Sequence, residues 1–138
     1  MSSNWPTPAH NYVPEYQQSS IPFVTSSATN EVGGTTPVMI AFPYVTRWVV
    51  VHNKNKTVGD TLRFGFTSNG VKGVGGRHYF EVDGAETTQR LEIKCREIWF
   101  LADDGTKPCG FTVMAGLTNV PSGSFPIISG SNGIDGVG

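Results

Sequence analysis

From Pro37 onward the chain is a succession of short β-branched and aromatic runs, each closed by a turn signal, and no stretch keeps a helical period over a useful length. The run at 46–53 (TRWVVVHN) is apolar on both faces through Trp48, Val49, Val50 and Val51, as a central strand would be. Residues 61–67 (TLRFGFT) alternate Leu62, Phe64 and Phe66 against Thr61, Arg63 and Gly65, so one face is buried and the other wet. Further strands are expected at 38–42, 78–82 (HYFEV), 88–95 (TQRLEIKC), 98–101 (IWFL), 110–117 (GFTVMAGL) and 125–129 (FPIIS), the last at an edge because Pro126 has no N–H for a ladder. Leu91, Ile93 and Cys95 share one phase, which Arg96-Glu97 breaks before Ile98, so a bulge or bend belongs there. Asp83-Gly84 and Asp103-Asp104-Gly105 are turns, and 68–76 (SNGVKGVGG) reads as a glycine-rich loop.

Composition points the same way. With 17 Gly and 9 Pro, long helices are disfavoured. About eight short strands at this spacing predict an all-β protein, a single jelly-roll β-sandwich of antiparallel strands with extended N- and C-terminal arms. An immunoglobulin-like sandwich is the nearest rival, but Cys95 and Cys109 lie only 109 − 95 = 14 positions apart, too close for that fold's inter-sheet bridge. Both cysteines are expected to be free, buried thiols, which suits a reducing compartment. The expected core contains Val49, Val51, Leu62, Phe64, Phe66, Phe80, Leu91, Ile93, Phe111 and Val113.

One domain is expected at 36–129 of a 138-residue chain, with an arm at 1–35 that holds a candidate first strand at 21–26, and a flexible tail at 130–138. The arm is poor in aliphatic residues and rich in Ser, Thr, Pro, Asn and Gln, a composition that cannot bury enough apolar surface to order itself. Trp5, Tyr12, Tyr16, Ile21 and Phe23 are nevertheless spread along it, and these are the candidate subunit-interface anchors. All 10 Lys and Arg lie between Arg47 and Lys107, whereas residues 1–35 carry Glu15 and Glu31 alone among charged side chains. The arm would therefore repel phosphate, and with a net charge of −1 no nucleic-acid partner is expected. Met1 leads into Ser2-Ser3-Asn4-Trp5-Pro6, which is unlike a signal peptide, and Trp48 to Val51 is too short to span a bilayer, so no membrane insertion is expected.

Chemistry has little to build on. His10, His52 and His78 are separated from one another, no G-x-S-x-G elbow occurs, and neither cysteine has a His neighbour, so no catalytic, cofactor-binding or metal residue is assigned and no cofactor is expected. The loop at 69–76 lacks the spacing of a phosphate cradle, and Asp103-Asp104-Gly105 lacks the later ligands of a calcium loop.

The succession FPYVTRWVVVHN, LRFGFTSNGV, HYFEVDG, RLEIKCREIWFLADDG and FTVMAGLTNVP resembles the small single-jelly-roll capsid proteins of large icosahedral double-stranded DNA viruses, especially those at the fivefold vertices. The resemblance covers residues 21–129 and is one of pattern, without a diagnostic motif. It implies a penton or minor capsid protein, made in the host cytoplasm and housed in the virion. The implied partners are other copies of itself, as a homopentamer, and the neighbouring major and minor capsid proteins. A carbohydrate- or receptor-binding sandwich module, a phage decoration or tail protein, and a cupin-like enzyme with converging histidines are the rival readings.

Overall fold

Strong β-branched runs and close-set turn residues produce two antiparallel sheets facing one another across a single apolar core. The structure is a computed structural model that describes residues 13, 16, 20–74, 76–126, 128, 136 and 137. The described strands are β1 (Ile21–Ser26), β2 (Val38–Ala41), β3 (Tyr44–Asn53), β4 (Leu62–Gly65), β5 (Phe80–Val82), β6 (Glu97–Ala102) and β7 (Phe111–Pro121). Helical structure is limited among the named elements to one turn, α1 (Ser68–Lys72), and a 3-10 turn at Ser122–Ser124. One sheet has the order β1-β7-β3 and the other β2-β6-β4-β5, so β3, expected as a central strand, stands at the edge of its sheet and β7 takes the middle place.

Register decides which side chains meet. In the three-stranded sheet Phe23 pairs with Ala115 and Ala115 with Val49, while Thr25 pairs with Val113 and Val113 with Val51. These residues face inward, against Leu62, Phe64, Ile98, Phe100 and Ala102 of the other sheet, where the β4–β6 register sets Leu62 opposite Ala102 and Phe64 opposite Phe100. The two layers meet at Phe100 and Phe111, whose rings stack with centroids 4.1 Å apart and planes 6° from parallel. Phe100 and Phe111 each sit on an inner strand position of their sheet, so this contact is central to the core.

Several expectations need correction. About eight strands were expected and seven are described, because neither 88–95 nor the described part of 125–129 forms a regular strand. The segment 88–95 runs antiparallel along the free edge of β3, but Thr side chains intrude on the ladder. The Val51 N–H donates to Thr88 Oγ1, the Cys95 N–H donates to Thr46 Oγ1, and the Ile93 N–H turns back onto its own Leu91 carbonyl. What survives is a set of isolated bridges, Val49 to Leu91 and His52 to Thr87. The phase break at Arg96-Glu97 falls where this segment gives way to β6, as expected.

The loop reading of 68–76 is also corrected. Thr67 caps α1 by accepting the Gly70 N–H at 2.9 Å, and Gly73 closes it in the left-handed region at φ 81°. Thr67, expected as the end of a strand, is the N-cap, and Gly73, expected in a loop, is the C-cap. No strand occupies 125, 126 or 128; the chain turns at Ser122–Ser124 instead, with the Phe125 N–H on the Ser122 carbonyl. β7 runs to Pro121 rather than stopping at 117, since Thr118 hides its hydroxyl by donating to the Val45 carbonyl at 2.7 Å.

Of the expected core, Val49, Val51, Leu62, Phe64, Phe111 and Val113 are buried, and Phe66, Leu91 and Ile93 are partly buried against them. Phe80 is not in the core, being 64% exposed. It pairs with Phe64, and its ring lies 5.6 Å from that of Phe64, but β5 is a three-residue strand at the edge of its sheet, and of its three residues only Val82 is buried.

Candidate functional site

Alternation along β1, β7 and β3 sends every second side chain outward, and the register stacks these into rows across the sheet. Pro22, Gly116 and Trp48 form one row, Val24, Met114 and Val50 the next, and Ser26, Thr112 and His52 the third. No Lys, Arg, Asp or Glu stands in any of these rows. Antiparallel sheets with one wet face normally carry charge there, so an uncharged outer face is the notable surface of this molecule. Val24 is 60% exposed and Met114 46% exposed at its centre.

The base of the N-terminal segment is fixed beside this face. Trp48 lies across Gly116, where a Cβ would come within 2.3 Å of the indole Nε1, and that Nε1 donates to Ser20 Oγ at 3.0 Å. Arg47 Nε donates to the Tyr16 carbonyl at 2.7 Å, and Lys94 Nζ stands 4.8 Å from the centre of the Tyr16 ring. Tyr16 and Ser20 are therefore held against β3 of the three-stranded sheet.

The five expected anchors separate on the structure. Trp5 and Tyr12 lie outside the described residues. Tyr16 is half-buried against Arg47 and Lys94 of its own chain. Phe23 faces inward, where its ring meets Phe42 edge-on at 5.2 Å, and Ile21 at the start of β1 is 44% exposed. Sequence reading passed over Val24, Met114 and Trp48. The signal was present, because Val24 is out of phase with Phe23 in a strand, and Met114 is out of phase with Val113.

Titratable groups are tied up in turns. Asp83 accepts the N–H groups of Gly59 and Gly84, each at 2.8 Å, and these bonds hold its carboxyl below the ordinary range. Asp104 is lowered in the same way by the Thr106 N–H and hydroxyl. Asp103 pairs with Arg63 at 2.8 Å. Among the described residues no group of three or more His, Cys, Asp or Glu side chains comes together, and no helix is long and apolar enough to cross a membrane.

Cys95 and Cys109 are both free and buried. Burial pushes each thiol up to about 11, with Thr46 partly opposing the shift at Cys95 and the Asp60 charge adding to it at Cys109. A thiol raised in the folded state keeps its full stabilising contribution below its ordinary value of 9.0 and loses it as the pH climbs toward 11. The native chain should thus resist a thiol-alkylating reagent at neutral pH and react at two sites once unfolded, and its melting temperature should fall above pH 9.0. Rapid alkylation of the folded chain at neutral pH would contradict this.

No protein-family model, curated protein or solved structure matches this chain.

Proposed function

We propose that the protein is a structural virion subunit, the penton of an icosahedral DNA virus or a minor capsid protein, and that it acts by assembling with copies of itself and with neighbouring capsid proteins. The observation that carries this reading is the uncharged outer face of β1, β7 and β3, with exposed Val24 and Met114 at its centre and Ser20 and Tyr16 fixed beside it. A face of this kind is costly to leave in water and is satisfied by another protein surface.

The finer topology supports a jelly roll. β1 pairs with β7, β2 with β6 and β4 with β5, while the irregular segment after β5 lies along β3. These pairings are nested one inside the next, as in a long hairpin rolled over a core, and the segment along β3 stands where an eighth strand would.

Native mass spectrometry of the full chain tests the reading. A closed ring, most simply a pentamer, is the expected species. Val24→Asp combined with Met114→Asp should shift the population to folded monomer, because both side chains already face solvent in the isolated subunit. A dispersed monomer at every concentration, alone and with candidate capsid partners, would overturn it.

A further inference from the structure

On the opposite side of the molecule α1 lies across the outer face of the four-stranded sheet. Val71 is fully buried beneath it, and a Cβ on Gly65 of β4 would come within 3.0 Å of the Val71 Cγ2. Gly70, inside this single helical turn, is also buried. Glycine costs about 1 kcal/mol relative to alanine within a helix, and Gly70 is not among the residues with positive φ. Its backbone conformation therefore gives no reason for glycine.

The reason is steric. A Cβ at position 70 would fall 2.3 Å from the carbonyl oxygen of Val137 and 2.8 Å from Thr67 Oγ1. That same Val137 carbonyl accepts the Thr67 hydroxyl at 2.7 Å, while Thr67 Oγ1 accepts the Gly70 N–H. Thr67 is almost wholly buried, so its hydroxyl serves the helix cap and the distant carbonyl at once. On the ligand side Gly136 adopts φ 90°, a left-handed turn that precedes the seated carbonyl. Nearby on this face, Trp99 pairs across the strands with Gly65, and its buried Nε1 has no acceptor among the described residues.

We propose that Thr67 and Gly70 form a peptide seat whose ligand is the chain's own Gly136-Val137 unit, held through the Val137 carbonyl. The seat recognises a backbone carbonyl that follows a left-handed glycine, and it fastens the tail to the face opposite the uncharged one. This is independent of the virion reading, because it concerns a contact within one chain.

The test uses full-length chain and two measurements, backbone order at Val137 by NMR relaxation and the rate at which a carboxypeptidase removes the C-terminus. Gly70→Ala should free the tail, with Val137 becoming as mobile as an unattached end and cleavage rising about tenfold, the worth of one hydrogen bond. Thr67→Val should do the same, whereas Thr67→Ser, which keeps the hydroxyl, should retain the tail. Should Gly70→Ala disturb the sheet, Gly136→Ala serves in its place, since a Cβ there meets nothing within 4 Å and alters the tail's turn alone. Tail order and cleavage unchanged in both glycine variants, or a tail released as fully by Thr67→Ser as by Thr67→Val, would overturn the proposal.

Discussion

Phe100→Ala should be the most damaging single truncation in the molecule, costing about 3–5 kcal/mol of a total stability that for such domains is about 5–15 kcal/mol. Phe100 is fully buried on β6, an inner strand of its sheet, and its ring stacks at 4.1 Å on Phe111 of β7, the middle strand of the other. Its removal takes away contacts in both layers, and the surrounding β-strands, tied by their ladders, cannot close in on the space. Urea titration should show the midpoint falling while the slope is kept, as expected when stability changes and the exposed area does not. Phe80→Ala is the matched control. The same ring at 64% exposure should cost no more than about 1 kcal/mol, because most of its surface is wet already. Equal losses at the two positions would show that the layers do not meet as described.

The second large effect is expected at a polar residue. Asn53 closes β3 with no exposed surface, and its side chain joins three segments. Nδ2 donates to the Asp60 carbonyl at 2.7 Å and to the Val82 carbonyl at 3.0 Å, and Oδ1 accepts the Asn55 N–H at 3.0 Å. Asn53→Ala takes the side-chain partner from all three backbone groups, of which the bonds to Val82 and Asn55 are buried and that to Asp60 is part-buried and shared with Cys109 Sγ. Each orphaned group costs about 1–3 kcal/mol, and a combined loss of about 3 kcal/mol is expected after partial relaxation. Thermal unfolding should report it, together with faster hydrogen exchange in the turn that leads into β4. Asn53→Ala as stable as the parent chain would mean that this network carries no weight.

How much of this was legible beforehand depends on where the period-two signal was clean. At 61–67 and 46–53 the strand type and the inward face were legible because large residues such as Leu62, Phe64, Val49 and Val51 carry the alternation, but the first strand stops at Gly65, which is buried against Val71 rather than wet, and β3 stands at the edge of its sheet rather than at its centre. The segment 88–95 has an equally clean alternation, yet it fails as a strand. There the Thr46 and Thr88 hydroxyls compete with backbone partners, a local effect that residue pattern does not express. Phe80 illustrates a different blind spot. Its phase is right for the core, but burial also needs an opposing layer, and the extent of the facing sheet is a property of the whole fold. The turn of helix after Thr67 could have been anticipated from a capping Thr three residues before Gly70 and a glycine at its end, had these been weighed above the surrounding glycine content. The uncharged outer face was visible only in part. Val24, Met114 and Val50 stand far apart in sequence, and the register alone makes them neighbours.

β7 is the last of the described strands in sequence and the middle strand of its sheet. Before it is synthesised β1 has no partner in that sheet, and β3 has the irregular segment 86–95 alone along its edge. Ile21 must wait for Leu117, a pairing that closes a very long loop, so the entropy of closure falls due before most of the ladder can repay it. On the ribosome the nascent chain consequently has no stable half-folded stage built on this sheet. The face formed by Val24, Met114 and Val50 comes into existence in a single late step, after residue 121 has emerged, and a chain with an incomplete core never displays it.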